Sequence, residues 1–157
     1  MSSWSGGLER ARLVRILLIE DSPADIELTR QALAEARIAN EVTVVSDGEA
    51  ASDYLHRRSP YETAPRPDLI LLDLNLPKKD GRELLSEIKT DESLRAIPVV
   101  VLTTSASDED VLYAYREHVN SYMRKPVRLL DFINIVRTIE QYWLGIVTLP
   151  PPEEAAG

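Results

Sequence analysis

The chain has 157 residues, of which 44% are apolar and 28% charged, with a net charge of −8 and no cysteine. This length suits one domain with a substantial core. The acidic balance argues against a nucleic-acid or anionic-membrane surface, and the lack of cysteine excludes disulfides and thiolate chemistry. His56 and His118 stand alone, so no zinc site is expected. Without a signal-like or membrane-spanning apolar run, we expect a cytoplasmic protein.

Five short apolar segments alternate with helical patterns along the chain. The predicted strands cover residues 14–20, 41–45, 68–73, 97–103 and 120–125. The predicted helices cover residues 23–37, 47–58, 82–90, 107–118 and 128–144. Pro23 suits a first helical position, and Asp21 or Ser22 would cap that helix. We predict one domain over 14–144, between a flexible segment at 1–13 and a tail at 145–157.

The predicted strands are mainly continuous apolar runs, as in "LILL" at 69–72, and not a regular alternation of apolar and polar residues. Such strands are typical of a parallel sheet with helices on both faces. Right-handed crossovers leave only a few doubly wound topologies for five strand–helix units. We therefore predict an α/β fold with five parallel strands.

Polar residues follow the predicted strands at their carboxyl ends, where doubly wound sheets bind ligands. The first strand ends in Glu20 and Asp21, the third in Asp73, the fourth in Thr103 and the fifth in Lys125. Three carboxylates, a hydroxyl and an ammonium are therefore predicted to meet at one edge of the sheet.

Three carboxylates at one place predict a bound divalent cation, since they cannot all stay ionised without compensation. Mg²⁺ takes oxygen ligands and usually keeps several waters. We expect Asp21 and Asp73 to be direct ligands and Glu20 to hold a metal-bound water. The backbone carbonyl of Asn75 is a further candidate ligand.

An ionised aspartate at such a site can act as a nucleophile toward phosphorus. Phosphoryl transfer depends mainly on positioning and on charge stabilisation. Mg²⁺, the Lys125 ammonium and the Thr103 hydroxyl could stabilise the phosphoryl oxygens. The pattern therefore favours Asp73 as a phosphoryl acceptor, with Lys125 and Thr103 as catalytic partners.

This set of residues resembles the receiver domain of two-component response regulators. The resemblance covers residues 14–143 and rests on Glu20-Asp21, "DLNLPKKDG" around Asp73, Thr103 in "VVVLTTS", and Lys125-Pro126. It implies a flavodoxin-like fold with strand order 2-1-3-4-5 and a cis peptide before Pro126. It also implies phosphoryl transfer from the phosphohistidine of a sensor kinase. The domain would catalyse its own phosphorylation and dephosphorylation without being an enzyme in the ordinary sense.

The same resemblance implies how a phosphoryl group would be sensed. The Thr103 hydroxyl would move inward, and Tyr122 on the fifth strand would follow. The proline-rich 59–67 and the ending "IEQYWLGIVTLP" are most similar to the stand-alone regulators that pair with bacterial phytochromes. The expected partner is therefore a red-light-sensing histidine kinase. The next partner is left open between an unknown downstream target and a histidine phosphotransfer protein.

The last predicted helix has an apolar face wider than the roughly 100° that covers a sheet. An exposed apolar face of this kind usually marks an interface. We therefore expect a homodimer. The interface residues on this helix and beyond would be Phe132, Ile135, Tyr142, Trp143 and Ile146.

Other interpretations stay open beside these. Asp73 could be a strand-terminal residue that caps the following turn. The acidic pair Glu20-Asp21 could serve only to cap a helix N-terminus and stabilise its dipole. Tyr122 could be a core or interface residue and not part of a switch. A flavodoxin-like flavin protein shares the architecture, but "IEDSPAD" would repel a flavin phosphate. A haloacid-dehalogenase-type phosphatase usually has a second aspartate where this chain has Asn75. The main alternative is a receiver-like interaction module that works without phosphorylation.

Overall fold

The computed structural model describes residues 13–36, 39–104 and 121–139. The strands are β1 (Val14–Ile19), β2 (Asn40–Val45), β3 (Leu69–Asp73), β4 (Val99–Thr103) and β5 (Ser121–Arg124). The helices are α1 (Pro23–Glu35), α2 (Gly48–Leu55), α3 (Gly81–Thr90) and α4 (Leu129–Ile139). The helix predicted over 107–118 and the tail predicted at 145–157 lie outside the described residues.

The five strands form one parallel sheet in the order β2-β1-β3-β4-β5. This order confirms the predicted doubly wound α/β fold. The winding reverses between β1 and β3. The chain passes from β1 to β2 on one side of β1, and then crosses to β3 on its other side. The carboxyl ends of β1 and β3 therefore open a crevice at the switch point.

Alternate residues of β1 and β3 face opposite sides of the sheet, as the period of a strand requires. Ile16 and Leu18 pack in a cluster with residues of α1 and α4. Leu17 and Ile19 pack in a second cluster with residues of α2 and α3. All residues of β3 are buried, including Asp73. Both faces of the sheet are thus covered at its centre, which explains why β3 is apolar up to Asp73, whereas the outer strands β2 and β5 contain polar residues.

The element boundaries differ from the predicted ones for local reasons. Ser22, and not Asp21, caps α1, because its Oγ accepts a hydrogen bond from the Asp25 N–H at 3.3 Å. The helix α2 ends at Leu55, before Arg57 takes the left-handed backbone conformation with φ 56°. The helix α1 ends at Glu35, two residues before the predicted end.

The helix α4 corrects one part of the predicted dimer interface. Phe132 is 2% exposed and packs in the chain's own core beside Val127 and Leu129. It is therefore not available to a second copy. The structure describes the backbone of Ile135 and not its side chain, while Tyr142, Trp143 and Ile146 lie outside the described residues.

In the described ranges, every helix is too short or too polar to cross a lipid bilayer.

Candidate phosphoryl-acceptor site

The acidic residues predicted from the sequence meet at the carboxyl ends of β1 and β3. Ile19 pairs with Leu72 in the sheet, so the residues that follow them, Glu20 and Asp73, lie side by side. One carboxylate oxygen from each of Glu20, Asp21 and Asp73 lies within 4.8 Å of the others. Glu20 is fully buried and Asp73 is 4% exposed, whereas Asp21 is open to solvent.

Lys125 follows β5 and reaches into this acidic group. Its Nζ lies 2.6 Å from Glu20 Oε1 and donates a hydrogen bond to Asp73 Oδ2 at 3.0 Å. The lysine side chain is 8% exposed, so this cation is almost completely withdrawn from water. The structure therefore brings together Lys125, Glu20 and Asp73, as predicted from the strand ends.

Burial and contacts with the opposite charge shift the pKa values of Glu20 and Lys125 in opposing directions. Burial raises the pKa of the Glu20 carboxyl to about 7, and the negative charge of Asp73 adds to the rise while the contact with Lys125 opposes it. Burial also lowers the pKa of the Lys125 ammonium, but contacts with Glu20, Asp73 and Asp25 outweigh that effect and leave its pKa raised. Lys125 is therefore a permanent cation that partly neutralises the carboxylates around it.

Asp25 is a site residue that the sequence analysis missed. It lies in the first turn of α1, and its Oδ2 accepts a hydrogen bond from Lys125 Nζ at 3.0 Å. The sequence signal is weak, since an acidic residue in a first helical turn is common for dipole reasons alone. Only the folded structure, in which the two side chains are hydrogen-bonded, shows that this carboxylate faces the lysine.

The loop after β3 holds the Asp73 side chain in place. Asp73 Oδ1 accepts a hydrogen bond from the Asn75 N–H at 3.0 Å, and the Gly81 N–H bonds to the Leu74 carbonyl at 3.0 Å. A Cβ on Gly81 would lie 2.4 Å from the Asp73 carbonyl oxygen. This loop can therefore pack against the start of α3 only because residue 81 has no side chain. The proposed role of the Asn75 carbonyl as a metal ligand stays a prediction.

The remaining predicted site residues, Thr103 and Tyr122, lie on the neighbouring strands β4 and β5. Thr103 ends β4 and pairs with Arg124 of β5; its side chain is not described. Tyr122 is 50% exposed on β5, which is an edge strand. The peptide bond between Lys125 and Pro126 is cis, as the family resemblance implied. The switching roles of Thr103 and Tyr122 stay predictions.

The donor set fits a hard divalent cation. Among the described residues, Glu20 Oε1 is the one buried side-chain oxygen that accepts no well-formed hydrogen bond. Its close contact is the ion pair with the Lys125 ammonium. The carboxylates of Glu20, Asp21 and Asp73 lie together at the strand ends with one lysine beside them, which leaves an excess of negative charge. Oxygen donors of this kind are the ligands that Mg²⁺ and Mn²⁺ take in proteins.

The fold and the site together define a class of protein. A family model, the response regulator receiver domain, matches residues 16–137. The chain belongs to this family, whose members act in two-component systems and signal through phosphorylation.

Individual relatives narrow the resemblance. Response regulator Rcp1 of Synechocystis sp. is 52% identical over 135 residues, which cover 86% of this chain and 92% of Rcp1. The solved Mn²⁺-bound form of Rcp1 has a TM-score of 0.69 over 88% of this chain and 99% of that one, at 51% identity. The phosphorylated cyanobacterial phytochrome response regulator RcpA has a TM-score of 0.70 and 50% identity over 88% of this chain and 99% of its own.

A relative of different context is almost as similar. The probable methanogenesis regulatory protein FilR2 of Methanothrix harundinacea is 48% identical over 139 residues, which cover 87% of this chain and 88% of FilR2. This chain is thus homologous to phytochrome response regulators and also to a regulator that bears no phytochrome name.

Proposed function

We propose that this protein accepts a phosphoryl group on Asp73 from the phosphohistidine of a sensor kinase. The observation that carries the proposal is the buried contact between Asp73 Oδ2 and Lys125 Nζ, at 3.0 Å, next to two further carboxylates. The buried cation orients the carboxylate of Asp73 and offsets the cost of burying its charge, which suits a nucleophile. RcpA, a relative of 50% identity, has been solved in a phosphorylated form, which supports the proposal.

In the proposed step, a carboxylate oxygen of Asp73 attacks phosphorus. The P–N bond to the kinase histidine breaks, and its electron pair leaves on the imidazole nitrogen, which then binds a proton. Lys125 stabilises the negative charge that the phosphoryl oxygens bring into the buried site. No general base is required, because the attacking group is already a carboxylate.

Mg²⁺ is the proposed cofactor, and Glu20, Asp21, Asp73 and the Asn75 carbonyl are the residues proposed to hold it. When bound, it would neutralise charge on the carboxylates and on the phosphoryl oxygens. The clustering of the three carboxylates and the Mn²⁺-bound form of Rcp1 support a divalent metal at this position.

The signal is proposed to leave through Thr103 and Tyr122. The side chain of Tyr122 is half exposed in this structure, so core packing does not fix it, and we propose that it turns inward when the Thr103 hydroxyl moves toward a phosphoryl group. The face around β5 would then change its shape for a target protein or for a histidine phosphotransfer protein.

A phytochrome-type histidine kinase is the proposed partner, and the cytoplasm is the proposed compartment. The similarity to Rcp1 and RcpA over most of both chains supports this pairing. The similarity to FilR2 favours a different kind of sensor. The identity of the kinase therefore has to be tested by comparing phosphotransfer from a phytochrome kinase with phosphotransfer from another sensor kinase.

Phosphotransfer from a kinase tests both the reaction and the partner. A phytochrome histidine kinase and an unrelated sensor kinase are each labelled with radioactive phosphate on histidine and mixed with this protein. We expect label to move to this protein within seconds to minutes from the phytochrome kinase, and much more slowly from the unrelated one. Chelating the divalent metal should stop the transfer. Equal transfer from both kinases would contradict the phytochrome pairing, and no transfer from either would contradict the receiver reaction.

We also propose that the domain runs over 14–144 and dimerises through its last helix and the tail at 145–157. Leu130 of α4 is 72% exposed, so an apolar side chain is displayed on this helix even though Phe132 is not. Sedimentation equilibrium should show a dimer at micromolar concentration. Tyr142→Glu combined with Ile146→Glu should give a monomer of unchanged fold. A monomeric wild-type protein would contradict the dimer proposal.

A further inference from the structure

Lys125 is surrounded by more carboxylates than the proposed reaction needs. Three oxygens lie within 3.0 Å of its Nζ, from Glu20, Asp73 and Asp25. An ammonium group has three N–H donors and no acceptor. Two of these donors bond to Asp25 and Asp73, and Glu20 Oε1 lies 2.6 Å from the same nitrogen, so the lysine has a carboxylate contact in each direction in which it could donate.

A phosphoryl group on Asp73 would need one of these donors for itself. Hydrogen bonds from an ammonium to phosphoryl oxygens are charge-assisted and are among the strong contacts of such a site. To form one, Lys125 must release or weaken a contact that it makes in this structure. The question is which of the three carboxylates it releases.

Burial distinguishes the three carboxylates. The side chains of Glu20 and Asp73 are 0% and 5% exposed, so neither can regain water when the lysine turns away. The side chain of Asp25 is 29% exposed. Water can replace the lysine at Asp25, and the loss of that contact is therefore the least costly.

The three carboxylates also differ in how firmly the backbone holds them. Glu20 directly follows β1 and Asp73 is the last residue of the neighbouring strand β3, so the sheet fixes the position of both. Asp25 comes from α1, whose capping residue Ser22 accepts the Asp25 N–H through its side chain. The carboxylate of Asp25 is thus anchored at its backbone and free to turn into solvent at its tip.

We propose that Asp25 is a positioning residue that occupies the phosphoryl group's place on Lys125 and gives it up when Asp73 is phosphorylated. The inference rests on the proposed function of Asp73. Asp25 holds the lysine in the resting protein and also opposes an incoming anion by competing for the same donor and by like charge. Its removal should therefore make the site more receptive to a phosphoryl group and should not damage it.

Beryllium fluoride, a phosphoryl mimic, tests this inference directly. Binding to the full chain is followed by fluorine NMR at saturating Mg²⁺, for the wild type, Asp25→Asn and Asp25→Ala. Glu27→Gln is the matched control, since Glu27 is an exposed acid on the same helix that bonds to Gln31 and not to Lys125. We expect both Asp25 variants to bind the mimic about 3- to 10-fold more tightly, and the control to match the wild type.

The Mg²⁺ affinity without fluoride, measured by calorimetry, separates competition from structural damage. If Asp25 competes for Lys125, its removal leaves Mg²⁺ affinity equal or slightly weaker while the mimic binds more tightly. If Asp25 only supports the site, both affinities fall together, and the inference is overturned. Mimic binding in the Asp25 variants equal to that of Glu27→Gln would overturn it as well. A wild type that binds no mimic would instead contradict the proposed function itself.

Discussion

Asp73→Asn is expected to take up no phosphoryl group from acetyl phosphate in the presence of Mg²⁺, under conditions in which the wild type gains one. The amide oxygen carries no negative charge, so the nucleophile is lost. The fold should persist, because asparagine has nearly the same volume and the Asn75 N–H can still bond to its oxygen in place of Asp73 Oδ1. Intact-mass spectrometry reports the adduct, and circular dichroism reports the fold.

Asp131→Asn is the matched control for this loss. Asp131 is an exposed aspartate in the first turn of α4, and its substitution removes the same charge away from the site. The control variant should be phosphorylated like the wild type. An adduct of wild-type extent on Asp73→Asn would show that another residue accepts the phosphoryl group.

Gly81→Ala is expected to destabilise the protein by about 3 kcal/mol, because overpacking against rigid backbone is poorly relieved. A Cβ at this position would lie 2.4 Å from the Asp73 carbonyl oxygen and 2.5 Å from the Leu74 Cα. Both atoms belong to the backbone, so no side chain can rotate to make room. The α3 helix or the loop after β3 must shift, and the Asp73 side chain shifts with it.

Urea denaturation measures this loss, with Ser86→Ala as the control. Ser86 is exposed on the same helix, and its change to alanine should alter stability by less than about 0.5 kcal/mol. Gly81→Ala should also be phosphorylated more slowly than the wild type at a temperature where both are folded. Equal stability of Gly81→Ala and Ser86→Ala would contradict the close packing of the loop on α3.

The strands and the principal site residues could be predicted because one physical rule links them. A strand buried on both faces is apolar throughout, so a charged residue at its end stands out, as Asp73 does after "LILL". Parallel strands also bring their carboxyl ends to one edge. The sequence alone is therefore enough to predict that four residues meet at one place: Glu20, Asp21, Asp73 and Lys125.

Asp25 and Phe132 could not be placed in that way, because both lie on helices. Which face of a helix meets the sheet depends on its rotation and packing, and the last helix is apolar on more than one side. Phe132 therefore looked as suitable for an interface as for the core in which it lies. In the sequence Asp25 is an ordinary acid of a first helical turn, and only its hydrogen bond with Lys125 in the folded chain marks it as a site residue.

The identity of the phosphorylated residue tests the central claim most directly. The protein is incubated with acetyl phosphate and Mg²⁺ and then treated with borohydride, which reduces an aspartyl phosphate to homoserine. Peptide mass spectrometry then locates the reduced residue. We predict homoserine at position 73 alone, and none when the metal is chelated. Homoserine at position 21 or 25 in place of position 73 would contradict the account.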